Sequence, residues 1–119
     1  MIPASVKELG EKAFFACERL QKVEFAEGSQ LQRIEKQCFA RSGLLEIAIP
    51  KSVVVLGEDA FKECRNLEKA EFQEESTLQT IGSECFSESG LEEITIPSNV
   101  KTIERCAFYT SRNLKRVSF

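Results

Sequence analysis

The motif Leu-x-x-apolar-x-apolar is written five times in this chain, beginning at Leu20, Leu44, Leu67, Leu91 and Leu114, so that its spacing alternates 24, 23, 24 and 23. This constrains the fold more than any other feature. A unit so short cannot bury its own apolar side, so successive units must stack and share one continuous core. A longer period lies over the short one: Ile2-Pro3, Ile49-Pro50 and Ile96-Pro97 recur at a spacing of 47, and residues 2–48 and 49–95 are identical at more than half their positions without a gap. Phe14, Phe39, Phe61, Phe86 and Phe108 follow at spacings of 25, 22, 25 and 22, so two versions of one module alternate.

Each module can be read locally. In Leu91-Glu92-Glu93-Ile94-Thr95-Ile96-Pro97 the fourth and sixth residues fall on one strand face, with polar residues between them facing out. Proline, or Ala-Glu-Gly and Gln-Glu-Glu in the other turns, ends the strand. Val-x-x-Leu-Gly then returns the chain along the opposite side, with Gly10, Gly57 and Gly82 expected to lend freedom to the bend. Phe14, Cys17 and Leu20 recur at three-residue steps, so residues 14–20 are expected to form a helical turn too short to stand alone. Stacked modules should align their Phe, Val/Leu and Leu positions in rows, with neighbouring strands parallel and ~4.8 Å apart.

Composition narrows the function. The 119 residues, 42% hydrophobic and 29% charged, suit a single folded domain spanning 1–119. A net charge of −3 lacks the basic footprint that nucleic acid selects, and no apolar run is long enough to cross a bilayer. The start, Met-Ile-Pro-Ala-Ser-Val-Lys-Glu, does not resemble a signal peptide. Histidine is absent, which removes the commonest general base and zinc nitrogen ligand; no phosphate-binding glycine loop or nucleophile elbow occurs, and no cofactor is expected. Glu74-Glu75 and Glu92-Glu93 are adjacent carboxylates whose side chains should point to opposite faces, which does not suit acid–base catalysis.

The stretch Ile49 to Leu67, Ile-Pro-x-Ser-Val-x-x-Leu-Gly-x-x-Ala-Phe-x-x-Cys-x-x-Leu, closely resembles the BspA-like (Treponema-type) leucine-rich repeats, and the resemblance covers essentially the whole chain. It implies a right-handed leucine-rich-repeat solenoid with parallel strands on the concave face. Here that means about five turns, each of length 22–25, in two long units plus a half. It also implies a non-enzymatic adhesion module of a cell-surface protein, binding host extracellular matrix or cells. The chain is much shorter than such proteins usually are and is expected to be an excerpt of a longer array.

Cys17 and Cys64 stand three residues after Phe, where Ser111 replaces them; Cys38 and Cys85 stand just before Phe, where other turns have alanine. Exchange with small residues marks buried, inert thiols. Equivalent cysteines two turns apart would lie roughly 9–10 Å from each other, beyond disulfide reach. Cys106 differs: its place holds Lys12, Gln37, Asp59 and Glu84 elsewhere, so it should face water, where it is either simply tolerated or available to cross-link two chains.

On a leucine-rich solenoid the outward strand residues form the surface a partner reads. The third motif place holds Lys22, Glu46, Lys69, Glu93 and Arg116, whose alternating signs predict a cross-strand charge ladder. The fifth place adds Glu24, Glu71 and Thr95, and acid is in excess at the centre. These eight are the expected partner-binding residues. No aromatic anchor accompanies them, so binding should be weak or avidity-dependent. Neither end carries a polar cap, and the final strand, Leu114 to Phe119, should present an edge through which two copies associate.

Overall fold

The Leu-x-x-Ile motifs become short parallel strands, as their alternation requires. The computed structural model describes residues 1–119 and contains no helix. The motif strands are β3 (Glu46–Ile49), β5 (Lys69–Phe72), β7 (Glu93–Thr95) and β9 (Arg116–Ser118). They form what is here termed the front sheet. In β3 the sides alternate exposed and buried, with Ile47 and Ile49 inside. The first motif contributes single bridges, Lys22 to Glu46 and Phe25 to Ile2, rather than a full strand.

The return segment is also a strand, which the motif reading did not anticipate. β1 (Glu8–Leu9), β2 (Arg33–Ile34), β4 (Val55–Leu56), β6 (Thr80–Ile81) and β8 (Thr102–Ile103) pair in that order as a five-stranded parallel sheet. Each has two residues, one outward and one in the Leu/Ile row. That is too short for the alternation of the sequence to announce.

The five phenylalanines fill the corner between the second sheet and the front sheet. Their rings stack in one column with centroids 5.1–5.6 Å apart and planes within 2°–7° of parallel. Phe39, Phe61 and Phe86 are completely buried. The leucine, valine and phenylalanine rows merge into a single cluster of 23 buried residues, so the turns share one core.

The expected helical turn over residues 14–20 does not form. Main-chain N–H groups at this corner alternate in their use. Those of Cys38, Ala40 and Ser42 donate to the carbonyl three residues back, whereas those of Gln37, Phe39 and Arg41 donate to Glu58, Ala60 and Lys62 of the next turn. Half the donors a helix needs are therefore spent between turns. The alternation forces left-handed backbone two residues before and two after each of the five stacked phenylalanines: Lys12 and Ala16, Gln37 and Arg41, Asp59 and Glu63, Glu84 and Glu88, Cys106 and Thr110 all have φ between 53° and 59°. None is a glycine, although this conformation costs an ordinary residue ~1–2 kcal/mol.

The glycines act differently from expectation. Gly10, Gly57 and Gly82 do not have positive φ; the bend is made by the left-handed residues instead. A Cβ on Gly57 or Gly82 would come within 2.8 or 2.7 Å of the preceding turn's backbone, so close approach explains those two, and Gly10 meets nothing. Gly43 and Gly90 are the more demanding: a Cβ there would collide with the carbonyls of Glu18 and Arg65. They occur in the turns whose corner is one residue shorter, Phe39 to Leu44 and Phe86 to Leu91. Those same turns enter through a loop two residues longer, Phe25 to Leu31 and Phe72 to Leu78. The long period of the sequence is thus a pair of unlike turns.

Candidate functional site

Strand alternation turns Lys22, Glu24, Glu46, Lys69, Glu71, Glu93, Thr95 and Arg116 outward, and all eight are exposed. Register aligns Lys22 with Glu46, Glu46 with Lys69, and Glu93 with Arg116.

The charge ladder is mostly not realised. On this face only Arg116 and Glu93 pair across strands, at 3.9 Å. Lys22 instead pairs with Glu24 at 3.2 Å and Lys69 with Glu71 at 2.9 Å, each along its own strand. Residues two apart on a strand share a face, so a long lysine reaches its own neighbour as readily as the next strand. The hydrogen bond to Glu71 raises the Lys69 ammonium above its ordinary pKa. Glu46 makes no ion pair. These are exposed pairs, with little consequence for stability.

The front sheet is also not continuous. β3 zips to β5 over four residues and β7 to β9 over three, but no ladder joins β5 to β7. The motif leucines are spaced by 23 across the zipped pairs and by 24 across the open one. The open pair lies where the longer loop leaves β5. That loop and the seam enclose a groove of about 750 Å³, whose wall includes Lys69, Glu71, Phe72, Glu93 and Thr95. A smaller groove of about 330 Å³ lies one long unit earlier, beside Lys22, Glu24, Phe25 and Glu46. The rim of the larger groove includes Gln73, Glu74, Glu75, Ser98 and Asn99, none of which the strand motif pointed to. Asn99 Nδ2 ties that rim together by donating to the Ser76 carbonyl at 3.0 Å. The signal for Gln73, Glu74 and Glu75 was the extra length of the loop from Phe72 to Leu78; Ser98 and Asn99, in the short connection after Pro97, had none.

All five thiols are free; Cys38, Cys64 and Cys85 are buried, Cys17 is half-buried and Cys106 is exposed. Burial pushes the Cys38 thiol up to about 12 and Cys64 to about 11, and raises Cys85 as well. Cys64 Sγ donates to the Phe39 carbonyl at 3.0 Å, and Ser111 Oγ donates to the Phe86 carbonyl at 2.8 Å, which explains why cysteine and serine exchange at this place. Cys106 is exposed in the last turn, whereas Gln37, Asp59 and Glu84, which share its left-handed backbone in the inner turns, are half-buried. No three His, Cys, Asp or Glu side chains are grouped to hold a metal ion, and no helix is long and apolar enough to cross a membrane.

Comparison with solved structures gives the same architecture. Pneumococcal vaccine antigen PcpA superimposes with a TM-score of 0.89 at 33% identity, over 98% of this chain and 28% of that one. A leucine-rich cell surface protein of Faecalibacterium prausnitzii matches with a TM-score of 0.69 at 22% identity, over 98% of this chain and 37% of that one. A leucine-rich repeat protein of Bacteroides capillosus matches with a TM-score of 0.65 at 26% identity, over 78% and 68%. The chain thus spans about a third of the length of the first two. No curated protein matches it. The profile of the family described as BspA type leucine rich repeat region matches residues 1–115 in six copies, a family and fold typical of protein-interaction modules without enzymatic activity. The chain belongs to the BspA-type leucine-rich repeat family.

Proposed function

We propose that the chain is a protein-docking module of a cell-surface protein, engaging a protein partner such as host extracellular matrix through its front strand face. The observation that carries this is the set of eight exposed polar side chains, Lys22, Glu24, Glu46, Lys69, Glu71, Glu93, Thr95 and Arg116, held on one strand face of a shared core. Likeness to a pneumococcal vaccine antigen over 98% of this chain, and to a cell surface protein of the same fold, supports the surface location. The face lacks the buried aromatic anchors that dominate tight interfaces, so each contact is weak and affinity comes from repetition along the stack.

The test is binding of the full chain to a panel of purified matrix proteins and to whole host cells. Glu24→Lys/Glu46→Lys/Glu71→Lys reverses the net charge of the front face; Glu8→Lys/Glu11→Lys/Glu104→Lys makes the same charge change at exposed positions elsewhere. Loss of at least tenfold in the first, and less than twofold in the second, is expected. Equal loss in both, or no bound partner, overturns the reading.

A second reading, association of two copies through β9, is favoured by Ile103, Val117 and Phe119, which are 39%, 37% and 86% exposed in the last turn. Light scattering over a concentration series tests it: a dimer that persists in reductant and disappears in Val117→Lys supports it. A monomer throughout rejects it, and a dimer lost only in reductant assigns the contact to Cys106.

A further inference from the structure

The groove between β5 and β7 differs from the rest of the front face in two independent respects. First, it is where the parallel ladder stops, so main-chain donors and acceptors on the facing edges of β5 and β7 lack the ladder partners that β3 and β9 give their other edges. A strand-like segment can use such groups, as in recognition by strand addition. Second, its charge is one-sided. Lys69 is the only cation on its wall, against Glu71, Glu74, Glu75 and Glu93. Lys69 is taken by Glu71, and Glu93 has Arg116 at the outer limit of pairing, while Glu74 and Glu75 make no ion pair. The smaller groove one unit earlier is nearly balanced, with Lys22 and Lys69 against Glu24, Glu46 and Glu71. Phe72, half-buried at the end of β5, adds an apolar surface of the kind that a lysine or arginine stem covers while its charged head stays in water.

We propose that this groove holds an extended lysine- or arginine-rich segment of the partner protein. The inference rests on the front-face reading and makes it specific: the partner's contribution is a basic strand-like stretch, and β5, β7 and the rim loop carrying Glu74 and Glu75 are the part of the face that receives it.

The test uses the full chain and two labelled ten-residue peptides, one alternating Lys and Ser, the other alternating Glu and Ser, with fluorescence anisotropy at about 50 and about 300 mM salt. The basic peptide should bind and the acidic one should not, and binding should weaken several-fold at the higher salt. Glu74→Gln/Glu75→Gln removes two rim charges from an exposed loop. Glu8→Gln/Glu11→Gln removes two from outside the front sheet, and circular dichroism checks that both variants keep the parent fold. The rim pair should lose at least fivefold in affinity and the control pair less than twofold. Equal weakening by both pairs reduces the effect to net charge and overturns the proposal, as does failure of the basic peptide to bind. If the rim pair keeps full affinity for a partner from the matrix panel while the front-face triple variant loses it, this inference fails and the docking reading stands. If neither set of changes affects that partner, both fail.

Discussion

The long loop supplies a matched pair of positions, one long unit apart, that isolates the cost of left-handed backbone. Gly28 has φ 77° and Glu75, its equivalent, has φ 61°. A Cβ added at Gly28 meets nothing within 4 Å, so Gly28→Ala changes backbone preference and no packing. Left-handed backbone costs a non-glycine residue ~1–2 kcal/mol, and glycine's greater freedom in the unfolded chain returns ~0.5–1 kcal/mol of that. Gly28→Ala should therefore destabilise by about 0.5–1 kcal/mol, and Glu75→Gly should stabilise by the same amount. For a chain of this length that is roughly 2–5 °C in Tm, in opposite directions. Gly43→Ala is the contrasting variant. Gly43 does not have positive φ, and its added Cβ would collide with the Glu18 carbonyl, so overpacking should cost about 3 kcal/mol. Thermal and urea unfolding followed by far-UV circular dichroism read all three. Should Gly28→Ala prove neutral and Glu75→Gly destabilising, positive φ is not what distinguishes these two sites, and the left-handed explanation of the corners is wrong with it.

Three further expectations are independent of that one. Phe61→Ala, in the middle of the ring column, should cost about 3–5 kcal/mol, and Phe108→Ala, half-buried with one stacked neighbour, less than about 2 kcal/mol; equal shifts in urea midpoint would rule out a graded column. Burial raises the Asp59 carboxyl above its ordinary pKa and its Oδ1 has no hydrogen-bond partner, so the folded state holds that proton more tightly than the unfolded chain does. Stability from this group is then present at low pH and lost as pH rises through the raised value. Asp59→Asn, compatible with φ 58°, should raise Tm by roughly 1–3 °C at pH 7 and by little near pH 3.5, and the same gain at both would refute the assignment. Thiol labelling of the native protein should show Cys106 reacting fast, Cys17 slowly, and Cys38, Cys64 and Cys85 only after denaturation; five equal rates would contradict the burial pattern.

The periodic parts of this molecule were legible in its sequence and the aperiodic parts were not. Phe14 to Phe108 and the leucine rows lie where their spacing predicts, because each repeats five times and the core tolerates no other register. The exposed Cys106 was legible from the polar residues at its equivalent positions. The eight front-face residues were legible as outward-facing; their ion pairing was not, since Lys22 and Lys69 each had more than one glutamate nearby and paired with the one along the strand. The left-handed corners escaped because glycine, their usual marker, is missing from all ten. The break between β5 and β7 escaped because spacings of 23 and 24 look like one period until the ladder either closes or fails.

The two unlike corners also bear on how a gene for such a chain can grow. Gly43 and Gly90 fit only against the longer corners that carry Glu18 and Arg65. Unequal recombination that inserts a whole pair of turns restores every such neighbour. A crossover that adds a single turn instead sets two short corners, or two long loops, side by side, and each then meets a surface shaped for the other kind. The heritable step in length for this architecture is accordingly the pair of turns, and natural variants should differ by whole pairs far more often than by one.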